Sequence, residues 1–260
     1  MKSKENRTRF RKGDSVNTKK VVSNIVRYVV YALVILFFVW AIKNHYFDYM
    51  FSQSNTFLHL LKQHLQLVLV SSLLALVVAV PVGILITRKQ FRRAEWIVSN
   101  TVNFGQTIPS LAVLALMISI LGIGFKTAIF ALFIYSLLPI YRNTVAGLDS
   151  IDENLIDAAR GMGMKPHQIL FRIELPNAAY SILAGIRTAV VLNIGTAALA
   201  YVVGGGGLGV WIFTGIQLFD NGYLISGAIP VTLLAILVDL LLRLIERLVV
   251  PKGTKQTLEM

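Results

Sequence analysis

The chain alternates long apolar runs with short charged clusters. Stretches free of Asp, Glu, Lys and Arg cover residues 63–87, 96–125 and 188–219, with lengths of 25, 30 and 32. Residues 221–238 give 18 more, and 28–42 and 127–141 give 15 each. A helix needs about 20 apolar residues to cross a bilayer core. The three longest runs suffice outright. The two shortest are flanked by Arg27, Lys43, Lys126 and Arg142, long cations that snorkel and lengthen the effective span. The pattern therefore predicts an all-α integral membrane protein with about six spans, near 23–43, 65–86, 100–121, 127–141, 180–203 and 223–243. The first span follows a basic run as a secretory signal does, but no A-x-A cleavage pattern comes after Ile42, so an uncleaved anchor is expected.

Charge placement orients these spans. With the N-terminus in the cytoplasm, the inner segments hold 21 of the 25 Lys and Arg, the outer segments hold 3, and Arg187 lies within a span. Such a bias predicts both termini in the cytoplasm. It also accounts for the net charge of +12, because the basic N-terminal run then meets anionic lipid headgroups. Nucleic acid is not expected as a partner, since only Phe10 is interleaved with that run to stack bases.

The composition narrows the chemistry. Charged residues are 15% of 260, hydrophobic residues 55%, and the mean hydropathy is +0.67, unlike a soluble or disordered chain. Cysteine is absent, which excludes disulfides and thiol chemistry, and no two of the four histidines have metal-ligand spacing. No Ser/His/Asp constellation is visible, so no catalytic residue, cofactor or metal site is assigned. A phosphate-binding P-loop needs Gly-Lys followed by Ser or Thr, and the chain has no Gly-Lys pair. Energy for any pumping would come from a partner. Gly204, Gly206 and Gly209 fit the dinucleotide fingerprint by spacing, but a span precedes them where a strand is required. They are read as a flexible outer turn.

The segment 141–179 is more than a connector. Ser150 and Glu153 have capping-box spacing, and Asp152 and Glu153 place negative charge in a first helical turn. A helix of about ten residues is expected to stop at Gly161 or Gly163. A second would begin at Pro166 and end near Leu175-Pro176. Two short amphipathic helices joined at Gly163 would thus lie on the cytoplasmic face. Within the spans, Gln106, Thr107 and Ser110 recur at helical spacing beside Pro109, a polar kink suited to lining a pathway. Asn193 and Thr196 either line the same pathway or bond a neighbouring helix. Arg187 either snorkels or binds a carboxylate, and Asp239 has Arg243 one turn away.

Asp157-Ala158-Ala159, Gly163 four residues on, and then Ile173-Glu174-Leu175-Pro176 resemble the EAA loop of bacterial ABC-importer permeases at every spacing. One departure is Asp157 where the pattern has Glu, which keeps the charge on a shorter side chain. Gln106 to Ala112, Gly185 to Ala189, Ile194 to Ala197 and Gly204 to Gly209 are similar to the subgroup serving osmoprotectants such as glycine betaine, carnitine and choline. The likeness covers about 57–245 and implies a type I importer transmembrane domain with a coupling loop at 149–176. It would be preceded by a basic tail (1–22) and a first span with its outer loop (23–56), and followed by a tail at 246–260.

By this resemblance, two permease chains, identical or merely related, would enclose a pathway. Two cytoplasmic ATPase subunits would bind ATP and Mg, and an external binding protein would deliver solute. Asp157, Ala158, Ala159 and Gly163 would contact the ATPase, while Ile173, Leu175 and Pro176 would fix the return into the fifth span. Permeases for amino acids or phosphonates, and an ATP-independent secondary transporter, are the alternatives. The last would show an internal repeat, and none is evident between the halves.

Overall fold

The computed structural model describes residues 2–249, with side chains from Val22 onward. Five helices among them are long and apolar enough to cross a membrane, or six if one bent pair counts as a single span. The chain divides into two units, residues 1–48 and 49–260. In the first, α1 (Lys2–Lys43) carries the apolar segment Val22–Lys43, whose side chains are exposed almost all round, as a lipid-facing helix requires.

The boundary falls at the first residue of α2 (Asp48–Ser52), and the second unit continues into α3 (Ser54–Ile86). Then come α4 (Glu95–Thr107) and α5 (Ser110–Leu121), followed by α6 (Phe125–Asp149) and the short α7 (Glu153–Gly161). α8 (Pro166–Ile169) runs through a π-helical turn, Leu170–Glu174, into α9 (Leu175–Thr196). A 3₁₀ segment, Ala197–Val203, leads to α10 (Gly209–Leu218) and α11 (Asn221–Val249). α3, α6 and α9 form the centre, and α10 packs on α11. Lipid gives no hydrophobic drive for helix pairing, so close backbone approach carries the packing. Small residues supply it: Ala75 and Ala79 on α3, Ala128 and Ala131 on α6, Ala178 and Ala189 on α9 are all buried. At Gly185 a Cβ would come within 2.7 Å of the Pro139 carbonyl oxygen.

Four expectations need correction. The third span is not one kinked helix: α4 and α5 meet at 100°, with Ile108 and Pro109 both extended. Proline bars the residue before it from helical geometry, and here the chain turns a corner. The loop does not contain two short helices. From Pro166 the chain stays helical to Val203, because the Leu175 N–H bonds the Leu170 carbonyl in a wide turn, and the register slip accommodates Pro176. The cap of α7 is Asp152, which accepts from the Asn154 N–H at 2.9 Å, while the Ser150 hydroxyl donates to the Gly147 carbonyl at 2.8 Å. Finally, the glycine run is no loose turn. Gly205, Gly207 and Gly209 are buried, and the ten-residue α10, unforeseen in the sequence, follows at once. The expected tail at 246–260 lies outside the described residues from 250 on.

Candidate functional site

α7 stands at one end of the bundle, the loop end; the glycine turn marks the other. Of its residues only Ala159 is fully buried; Asp157 and Ala158 face outward with Leu155 and Met162. Asp157 Oδ1 accepts from Arg160 at 2.8 Å. The helix ends in a Schellman turn: the Gly163 N–H bonds the Arg160 carbonyl at 2.9 Å and the Met164 N–H bonds the Ala159 carbonyl at 3.1 Å. This turn needs the left-handed conformation that Gly163 adopts, φ +77°, and a Cβ there would meet no atom within 4 Å. Leu175 packs with Leu148, Ala178 and Ile182 at the base of the loop, the Ile173 carbonyl accepts from Asn177 at 2.7 Å, and Pro176 is exposed. Of the seven loop residues, Asp157, Ala158 and Gly163 make an outward ridge, Ala159 turns inward, Ile173 and Leu175 are anchored at the base, and Pro176 is exposed.

The base carries an ion pair that sequence reasoning missed. Arg88, just beyond α3, grips Glu174 with both guanidinium ends, at 2.8 and 2.5 Å, and Glu174 is buried. Glu174 lay inside the quoted Ile-Glu-Leu-Pro run as its variable position. Beside it Arg92 reaches Asp149 at 3.3 Å. A cleft of about 600 Å³ lies between the α3–α4 turn and the loop, lined by Arg88, Arg92, Asp149, Ile156, Arg160 and Glu174.

The candidate pathway residues are dispersed. Gln106 Nε2 donates to the Tyr135 carbonyl at 2.9 Å, an oxygen freed because Pro139 has no N–H to offer it. Thr107 bonds the Phe104 carbonyl on α4, and Ser110 begins α5, so the break at Pro109 separates the two across the corner. Thr196 bonds the Leu192 carbonyl at 2.9 Å. Asn193 is wholly enclosed by the central helices. Its Nδ2 lies 3.0, 3.1 and 2.5 Å from the hydroxyls of Ser71, Ser72 and Ser136, and its Oδ1 has no partner. Truncation in Asn193→Ala is expected to cost about 1–2 kcal/mol, read as earlier thermal unfolding in detergent. An unchanged midpoint would deny the cluster any role in holding the three helices.

Arg187 binds two carboxylates of α11: its guanidinium is 2.9 Å from Glu246 and 3.6 Å from Asp239, and Asp239 also receives Arg243 at 2.8 Å. At the glycine end, Gln63 accepts from the Gly207 N–H at 3.2 Å, and His64 donates to the Ile194 carbonyl at 2.9 Å. Nearby, the Tyr49 hydroxyl donates to Asp220 at 2.8 Å. That bond holds the Asp220 carboxyl below the usual range, with help from the Gly222 and Tyr223 N–H groups, and it raises the Tyr49 phenol.

Residues 79–251 match the family described as binding-protein-dependent transport system inner membrane component. A choline transport system permease protein of Bacillus subtilis is 41% identical over 84% of this chain and 99% of its own. A glycine betaine/carnitine/choline transport system permease protein of the same organism is 46% identical over 74% of this chain and 87% of its own. Among solved structures, an inward-facing methionine ABC transporter superposes with a TM-score of 0.68 at 26% identity, covering 77% of this chain and 99% of that one. The outward ridge on a short helix, the central three-helix core and these likenesses agree, and the chain belongs to the binding-protein-dependent transport system inner membrane components, the permease subunits of type I ABC importers.

Proposed function

We propose that this permease carries a small quaternary amine such as glycine betaine, carnitine or choline into the cell. The observation that carries this reading is identity of 41–46% to permeases named for those solutes. Both termini and α7 lie in the cytoplasm, as the distribution of Lys and Arg supports. Asp157, Ala158 and Gly163 contact a partner ATPase, which binds ATP and Mg, while Ala159 is turned inward beneath them; the sequence carries no P-loop of its own. A second permease chain completes the pathway, to which Gln106, Thr107, Ser110 and Thr196 are candidate contributors, Asn193 being enclosed between the central helices, and an external binding protein delivers solute. Likeness to the methionine transporter favours an amino acid as the second reading, at the lower identity of 26%.

The test is uptake of labelled glycine betaine, carnitine, choline and methionine by cells with and without the variant Asp157→Arg/Gly163→Trp. At Gly163 an added Cβ meets no atom of this chain within 4 Å, so bulk built from it points away from the local fold and toward a docked partner, and backbone strain there costs about 1–2 kcal/mol. Uptake should drop to background while the protein stays in the membrane fraction. Normal uptake by that variant would sink the docking assignment, and uptake of methionine alone would favour the second reading.

A further inference from the structure

The loop end poses a mechanical question. α7 is joined through the backbone to α6 on one side and, through α8, to α9 on the other. It has no such link to α3 or to the bent pair α4–α5. Farther along the bundle α3 packs on α6 and α9. At the loop end itself, among the described residues, three contacts join α3 and the turn after it to the loop. One is apolar: Val80 and Ile84 of α3 pack against the cluster of Leu148, Ala178 and Ile182. Apolar contact is non-directional, and such surfaces slide at little cost. The second, Arg92 with Asp149, is a single 3.3 Å contact with more than half of the arginine side chain exposed, a pair of small worth.

The third contact is different in kind. The Arg88 fork meets both oxygens of Glu174, the carboxylate is nearly excluded from solvent, and Arg88 Nε is tied to the Ile84 carbonyl in the last turn of α3 at 3.2 Å. A planar fork of this type fixes direction as well as distance. Its other end is anchored at the last residue of the π-helical turn 170–174, the most loosely wound point between the loop and α9. The cleft beside it leaves α7 otherwise unfilled against the α3–α4 turn.

We propose that the Arg88–Glu174 pair is the tie that makes α3 follow the coupling loop, so that both residues act as positioning residues setting how much solute moves per ATP hydrolysed. The proposal rests on the permease reading above and adds to it a route of force into the one central helix that α7 does not reach through the backbone.

The experiment uses the whole transporter, with ATPase and binding protein, in proteoliposomes. Uptake of labelled glycine betaine, carnitine and choline is measured together with ATP hydrolysis. Arg88→Gln and Glu174→Gln should hydrolyse ATP at the wild-type basal rate but move about tenfold less solute per ATP, a typical coupling between sites. The exchanged pair Arg88→Glu/Glu174→Arg should recover most of that loss, which a merely stabilising role would not predict for the ratio. Should the single glutamine variants fail to assemble, Arg88→Lys decides, since it keeps the charge and loses the fork; its ratio should fall as well. Single variants or Arg88→Lys with the wild-type ratio would overturn the tie, as would an exchanged pair no better than the singles. A wild-type chain that moves none of these three solutes would overturn the quaternary-amine reading alone, and the ratio is then read with labelled methionine.

Discussion

Gly209→Ala is expected to unfold the glycine end of the bundle. A Cβ at this position would stand 1.9 Å from the Ala198 carbonyl oxygen and 2.7 Å from its carbon. Those are backbone atoms of the 3₁₀ segment, so no rotamer change relieves the clash, and one of two packed segments must move. Around it Leu208 and Trp211 are buried in the largest apolar cluster with Leu67, Leu132 and Ile194. Moving them opens that cluster, at a cost of more than about 3 kcal/mol, above the usual range for overpacking because the obstacle is main chain. The measurement is the fraction of purified protein that stays monodisperse in detergent on heating. Gly195→Ala is the internal comparison: the same methyl meets no atom within 4 Å, and a helix gains up to about 1 kcal/mol from the exchange. Equal behaviour of the two variants would show that the glycine turn is looser than described.

Arg187→Leu is expected to be strongly destabilising. Glu246 is buried on α11 and Arg187 Nη1 is its partner at 2.9 Å, whereas Asp239 keeps Arg243. Removing one member of a buried pair strands the other, at about 3–5 kcal/mol. The double variant Arg187→Leu/Glu246→Leu should recover most of this, because an apolar pair of similar volume leaves no unpaired charge. Melting temperatures of the two proteins in detergent check it. A single variant as stable as the parent would mean that the carboxylate reaches water or lipid headgroups by another path.

The charge-free windows predicted the number of spans because the bilayer sets a length that the chain must meet. They were poor at ends. α3 starts at Ser54 rather than 65, since residues such as His59 and Lys62 lengthen the helix beyond the bilayer core without stopping it. α6 runs on past Arg142 to Asp149 for the same reason. The bend at Pro109 was expected, but its size was not: a lone proline kinks a helix whose neighbours support it, and here Ile108 gave up helical geometry too. α10 is only ten residues, too short for any span-length window, and it hides behind glycines whose role is close approach. At the loop, Gly163 was legible because one turn geometry demands it. Arg88 and Glu174 were not, being 86 positions apart with nothing local to mark them as partners.

The serines around Asn193 have a consequence for synthesis. Ser71 and Ser136 already donate their hydroxyl protons to carbonyls one turn back, Leu67 and Leu132, at 2.7 and 3.0 Å. Each of those helices therefore enters lipid with those protons already engaged. The Asn193 amide makes no bond within α9 in the folded bundle, where the three hydroxyls take it, and it is costly to leave bare in hydrocarbon. It is also translated after both. A ribosome emitting this polypeptide from N to C terminus lays down the receivers first, and the expensive segment arrives last, to a waiting acceptor.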